Sequence, residues 1–148
     1  MNWNIKTFGE LTAEELYDIL QARVNVFVVE QECPYPEVDG YDKKSWHLIG
    51  RENGEIKAYA RLFPHGITYQ EASIGRVLVH KNKRGTGLGK ELMERAIAFI
   101  ESTGEPVIRI QAQEYAERFY ASFGFSRISD VYLEDDIPHI DMNLYINK

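Results

Sequence analysis

Arg84-Gly-Thr-Gly-Leu-Gly89 places three alternate glycines beside a guanidinium, after a β-like run (Ile74, Val77, Leu78, Val79) and at the start of an amphipathic stripe (Leu88, Leu92, Met93, Ala96, Ile97, Ile100). Glycine lacks a Cβ, so its backbone can come within reach of a ligand, and a starting helix offers unpaired N–H groups to an anion. The chemistry these types suit is phosphate binding, with Lys83, Arg84, Gly85, Thr86, Gly87, Leu88, Gly89 and Lys90 as the expected cradle. Two other glycine motifs fail. A P-loop would need glycine at Arg84 and Ser or Thr at Glu91. A dinucleotide fingerprint would put its last glycine on Lys90, with no convincing ribose acid downstream. The rival reading is a solvated glycine turn, yet each such glycine costs roughly 0.5–1 kcal/mol against alanine in regular structure.

Other chemistry-bearing side chains are scattered. Glu30, Glu32, Glu134 and His139 are candidates for a base or an acceptor contact, and no spacing singles one out. His139, flanked by apolar residues in IPHI, suits either packing or substrate contact. Arg76 is expected as a pocket residue or a partner of the acidic loop. Cys33 reads as a small buried hydrophobe rather than a nucleophile, since no base is identifiable beside it. His47, His65 and His80 have no metal-ligand spacing with Cys33 or a carboxylate, so no metal is expected.

The elements that must position these groups follow from periodicity. Trp3 to Phe8 alternates as a first strand. Thr12 and Glu15 form a capping box, with Leu11 and Leu16 as a staple, and the stripe from Leu16 to Phe27 predicts a helix ending near Val28 or Val29. Glu30 to Ser45 holds two prolines and five carboxylates and reads as an ordered loop, either a solvated acidic surface or the rim of a cation-attracting pocket. Trp46–Arg51 and Ile56–Phe63 flank Asn53-Gly54, a hairpin signal. Ser73–His80 returns as a third strand, and Gly104 with Pro106 ends the helix after the glycine turn. A strand over Val107–Ala112 and a helix over Glu114–Ser122 come next, the latter turning Ala116, Phe119, Tyr120 and Phe123 toward the sheet. Two strands then flank Glu134-Asp135-Asp136. The order β-α-loop-β-β-β-α-β-α-β-β predicts one α/β domain over residues 1–148 with mixed strand pairing.

The formal charge of -6, from 17 basic and 23 acidic residues, argues against nucleic-acid or anionic-membrane binding. No apolar run is long enough to cross a bilayer, and MNWNIKTF lacks the organisation of a signal. A single cysteine excludes an internal disulfide and makes a cytoplasmic setting the expectation.

Arg84-x-x-Gly87-x-Gly89 together with Tyr120 in FYASFGF resembles the GNAT superfamily of acetyl-CoA-dependent acyltransferases. Within it, RVNVFVVEQECPYPEVDGYD (Arg23–Asp42), IGRVLV (Ile74–Val79) and YLEDDIPHIDM (Tyr132–Met142) resemble the ElaA family. The resemblance implies a mixed central sheet flanked by helices, its central strands splayed so that the acetyl thioester lies in the gap. It implies acetyl-CoA as donor substrate, a pantetheine arm paired to the strand over Ser73–His80, and pyrophosphate on the segment ending at Gly89. Tyr120 matches the tyrosine near the coenzyme sulfur, a general acid candidate, although periodicity alone favours core packing for it. Gln113 stands where many members have asparagine on the pantetheine arm. A glutamate base found in some members has no certain match, because Glu71 lies one residue off and a slip of one changes its face.

The implied reaction is direct acetyl transfer to a primary amine on a small molecule or peptide, with a backbone N–H at Leu78 or Val79 stabilising the oxyanion. Acidic segments Glu30–Asp42 and Glu134–Asp136 are expected to favour cationic acceptors, and homodimerisation is left open. The rival classes are a non-catalytic acyl-CoA-binding module and an interaction domain using the acidic loop.

Overall fold

The chain is described over residues 1–146 by a computed structural model. Its strands are β1 (Asn2–Thr7), β2 (Trp46–Glu52), β3 (Glu55–Phe63), β4 (Ala72–Val79), β5 (Val107–Gln113), β6 (Ser126–Arg127), β7 (Tyr132–Glu134) and β8 (Ile137–Tyr145). The helices are α1 (Ala13–Arg23), α2 (Leu88–Ser102) and α3 (Glu117–Ala121). The strands form one sheet in the order β1-β2-β3-β4-β5-β8-β6, with β7 paired to β8. Every pairing is antiparallel except β4–β5. This is the mixed α/β sheet that the element order predicts.

The two faces divide the apolar residues. Leu48, Ala58, Ala60, Leu62 and Ile74 pack with Leu92, Met93, Ala96 and Ile100 of α2. On the opposite face, Ile49, Tyr59 and Leu78 pack with Ile19 of α1. The β2–β3 turn uses Asn53 and Gly54 at φ 53° and 80°, the paired left-handed residues of a tight hairpin. The Asp135-Asp136 turn between β7 and β8 has the same sign at both positions without a glycine. No helix among the described residues is long and apolar enough to cross a membrane.

The α1 capping box forms, Thr12 Oγ1 accepting from Glu15 N (3.1 Å) and Glu15 Oε1 from Thr12 N (2.9 Å). The C-terminal end departs from expectation. Regular α-helix stops at Arg23, and Val24–Glu30 continues as a π-helical turn. An apolar stripe of period three to four accommodates either hydrogen-bond pattern, so it does not reveal the change. The helix expected over Glu114–Ser122 is likewise split, with a 3₁₀ turn at Glu114–Ala116 preceding α3. Phe119, expected on the sheet, is instead 37% exposed. The two-residue β6 carries no periodicity to read.

Gly50 marks a close approach. A Cβ there would lie 2.8–3.0 Å from three ring carbons of Trp3, itself covered by the Arg95 guanidinium 4.8 Å from a Trp3 ring centroid. Gly50→Ala should therefore destabilise the fold by about 1–3 kcal/mol through overpacking. A lowered urea midpoint at constant m-value is the expected result. An unchanged midpoint would show that Trp3 moves aside freely.

Candidate active site

The site begins with an irregularity in β4. Its register with β3 runs Val79↔Ala58 and Leu78↔Tyr59, then Gly75↔Arg61, so β4 carries one extra residue between the last two pairs. Arg76 sits in this bulge at φ 49°, a left-handed conformation unusual for a residue with a Cβ. The insertion resets side-chain parity, so that Ile74, Val77 and Val79 face the α2 side while Leu78 faces α1. The pairing of β4 with β5 ends ahead of the bulge, being confined to Ala72↔Ile108 and Ser73↔Arg109.

Backbone alternation shows what the separated strand offers. His80 N donates to Lys57 O at 2.8 Å. Alternation in an antiparallel ladder then makes Leu78↔Tyr59 a bonded pair and Val79↔Ala58 a non-bonded one. The Leu78 N–H is therefore spent on β3, whereas that of Val79 turns toward the gap beside β5. Of the two N–H groups expected as oxyanion donors, that of Val79 is the one that faces the gap.

A cleft of about 460 Å³ fills the gap. Its walls include Leu78, Val79 and Arg76 from β4, Gln113 at the end of β5, Tyr120 from α3, and Glu30 with Arg84 at the glycine turn. Gly87 is the N-cap of α2 at φ 86°, and Gly85 is also left-handed at φ 79°. The first in-helix hydrogen bond runs from Glu91 N to Gly87 O, so the N–H groups of Leu88, Gly89 and Lys90 precede the helical ladder. Gly89 differs from its neighbours. Its φ is ordinary, and a Cβ would meet Phe119 and Val79 at 3.6 Å, normal contact. Thr86 Oγ1 donates to Lys83 O (2.5 Å), and Lys83 Nζ pairs with Glu52 (2.6 Å). Arg84 spans the cleft mouth, donating through Nε to Val79 O (3.0 Å) and through Nη2 to Glu30 (2.8 Å).

The Tyr120 ring packs edge-on against Phe119 and Phe125 at centroid distances of 5.1 and 6.2 Å. Its hydroxyl has no hydrogen-bond partner among the described residues. Burial pushes the phenol up to about 12, with a smaller contribution from Tyr115, so it stays protonated at neutral pH. Packing and cleft exposure thus coexist in one side chain.

A second cleft of about 380 Å³ shares Phe27, Gln31, Arg76, Gln111 and Gln113 with the first and adds His139 and Glu134. His139 Nδ1 lies 2.7 Å from Ile137 O. A carbonyl only accepts, so Nδ1 carries the proton and a neutral ring leaves the Nε2 lone pair free. The ring stacks on Tyr132 at 6.3 Å, and Tyr132 is hydrogen-bonded to Asp141 and Gln111. These contacts fix the orientation of the imidazole.

Residues 11–146 match the acetyltransferase (GNAT) domain family. The chain belongs to the GNAT acetyltransferases. It is 47% identical to a UPF0039 protein of Schizosaccharomyces pombe over 94% of this chain and 93% of that one. It is similar to the crystal structure of ElaA from Escherichia coli, with 37% identity, TM-score 0.90, and coverage of 97% of this chain and 98% of that one. An acyl-CoA N-acyltransferase from Pseudomonas aeruginosa superposes with TM-score 0.92 at 41% identity, covering 97% and 99% of the two chains. This GNAT chain is thus related to the ElaA proteins at moderate identity, and its homology is to acyltransferase enzymes.

The GNAT fold puts the acidic loop to a use its composition does not announce. Arg23, 0% exposed, donates to Glu37 (2.7 Å) and Asp42 (2.5 Å). Arg61 holds Asp39 (2.8 Å) and Asp42 (3.0 Å), while Arg76 holds Glu37 (2.7 Å) and Asp39 (3.3 Å). Burial would raise the Asp39 carboxyl, but the Arg61 hydrogen bond, the Tyr41 N–H and the charges of Arg61 and Arg76 outweigh it and hold it at about 2. Three carboxylates are thus paired with three guanidiniums, which corrects the expectation of a cation-attracting loop. Glu30 is engaged by Arg84, and Glu32 is exposed and lines neither cleft. Of the acidic candidates, Glu134 lines the second cleft, joined there by Asp135.

Cys33 is buried, as a small hydrophobe should be. His47 is buried between Tyr59 and the Asp42 carbonyl, and His65 pairs with Glu105. Among the described residues no group of three or more His, Cys, Asp or Glu is placed to hold a metal ion. The sequence reading missed Phe27, Gln31 and Gln111 as cleft walls. Phe27 is hidden in the α1 apolar stripe, and the two glutamines carry no distinguishing spacing.

Proposed function

We propose that the protein is an acetyl-CoA-dependent N-acetyltransferase that passes acetyl directly to a primary amine in a ternary complex. The observation that carries this reading is the cleft between separated β4 and β5, with Arg84 of the glycine turn that precedes α2 in its lining and an unpartnered phenol in its wall. Arg84 and the N–H groups after Gly87 suit the pyrophosphate, and the free edge of β4 suits the amides of the pantetheine arm. In this scheme the amine nitrogen attacks the thioester carbonyl, and the Val79 N–H stabilises the oxyanion. Collapse breaks the carbon–sulfur bond, Tyr120 protonates the thiolate, and the proton lost by the amine passes to His139 Nε2, directly or through water. His139 is preferred to Glu30 as base because Glu30 is held by Arg84 at the cradle end. The acceptor, a small molecule or a peptide terminus, enters through the second cleft, where Glu134 supplies local negative charge. The single cysteine supports a cytoplasmic setting.

Calorimetric titration with acetyl-CoA, followed by thiol release with a panel of amines and mass detection of the products, tests the proposal. Saturable binding and acetylation of at least one amine are expected. Binding without thiol release above hydrolysis across the panel would make the chain an acyl-CoA-binding module.

A further inference from the structure

We propose that Glu37 is a positioning residue for acyl transfer, acting through Arg76 to hold the β4 bulge open; this rests on the reading that the donor lies along β4. Arg76 adopts φ 49°, a conformation that side chains with a Cβ rarely take. It is tethered from beyond the strand. Its Nε donates to Glu37 Oε2 at 2.7 Å, its Nη2 lies 3.4 Å from Glu37 O and 3.3 Å from Asp39 Oδ2, and its guanidinium lies 5.7 Å from the Tyr35 ring centroid. Glu37 is 4% exposed and is itself fixed by Arg23 Nε (2.7 Å) and the Tyr35 hydroxyl (2.6 Å). One buried carboxylate therefore bridges the end of α1 to the only left-handed residue of β4.

The placement has a consequence for chemistry. The bulge sets the parity by which the Val79 N–H, rather than that of Leu78, turns into the gap between β4 and β5. Without the tether, the extra residue is free to relax or migrate along the strand. A one-residue shift would exchange the faces of Val77, Leu78 and Val79 and withdraw the donor from the thioester. Arg76 also borders both clefts, so the same ion pair keeps its cation turned to the loop instead of toward an incoming ammonium group. The glycine turn, several residues further along, does not depend on it.

Glycine and alanine at position 76 separate this role from direct contact. Both remove the guanidinium, but only glycine accepts φ 49° without cost. Arg76→Ala should slow single-turnover transfer at least about tenfold, and Arg76→Gly should be faster than Arg76→Ala by about fivefold or more. Glu37→Gln should resemble Arg76→Ala, and its effect on transfer should largely vanish in the Arg76→Gly background, as coupled residues require. Acetyl-CoA affinity should fall by a smaller factor than the transfer rate, because the glycine turn that suits the pyrophosphate lies beyond the bulge. Equal loss in the alanine and glycine variants would assign Arg76 to substrate contact and overturn the proposal, as would no loss in either. If Glu37→Gln fails to fold because Arg23 loses a partner, the glycine–alanine comparison still decides. Failure of wild-type acetyl-CoA binding would instead refute the donor reading, and calorimetry reports that separately.

Discussion

Gly87→Val should lower acetyl-CoA affinity by about a hundredfold or more, the loss expected from two hydrogen bonds to an anion at roughly 1.5–3 kcal/mol each. The free chain shows why this substitution isolates the ligand. A Cβ at Gly87 would meet nothing within 4 Å, so the added carbons occupy open space until a phosphate approaches the α2 N-terminus. The backbone is nevertheless strained, because φ is 86° and a branched side chain in that region costs roughly 1–2 kcal/mol. Gly104 supplies the matched control. It follows the C-terminal end of α2 at φ 88°, with equally open space around its Cβ direction. Gly104→Val should lose similar thermal stability and keep its coenzyme affinity. Equal affinities in the two folded variants would remove the phosphate from the glycine turn.

That turn was legible in the sequence because its signal is local. Two left-handed glycines, a helix start and a flanking arginine lie within six residues, and each local choice agrees with the others. The Asn53-Gly54 hairpin and the Thr12–Glu15 cap were legible for the same reason. The loop network was not. Its pairs join residues 14 to 39 positions apart, and nothing in the run of carboxylates shows that Glu37 and Asp42 turn inward to guanidiniums on α1, β3 and β4. Unpaired, those carboxylates would be driven to the surface, so charge alone favours the solvated reading. The bulge was hidden more deeply. Sequence periodicity assumes one parity along a strand, and a non-glycine residue at φ 49° gives no warning that parity changes at Arg76.

The paired network also alters what the acceptor side can recognise. Six opposite charges held within the protein produce little net field at the second cleft, so the attraction for an ammonium group falls to Glu134 and Asp135 on the β7–β8 turn. Their exposure allows salt to screen them. Capture and chemistry then make separable demands. The carboxylates favour the protonated amine at the entrance, whereas attack requires the neutral amine near the thioester.

Tyr120→Phe should slow single-turnover acetyl transfer by about ten- to several-hundredfold, roughly 1.4–4 kcal/mol in barrier, with coenzyme affinity and Tm close to wild type. Stability should be spared because the phenylalanine ring retains the contacts with Phe119 and Phe125, and the hydroxyl has no partner among the described residues to strand. The buried phenol, raised to about 12, keeps its proton through neutral and mildly alkaline pH. Tyr120 should therefore cause no loss of rate until pH approaches 12, and any alkaline limb well below that belongs to another group. A free thiol titrates near about 8.5, so the phenol does not surrender its proton readily to a thiolate in water. A thiolate forming in the same desolvated cleft is a stronger base, and Tyr120 lies in the wall of that space with no hydrogen-bond partner for its hydroxyl among the described residues. Single-turnover measurement is the appropriate readout because slow product release cannot mask the chemical step. A folded phenylalanine variant that matches wild type across the accessible pH range would confine Tyr120 to packing and leave water to protonate the thiolate.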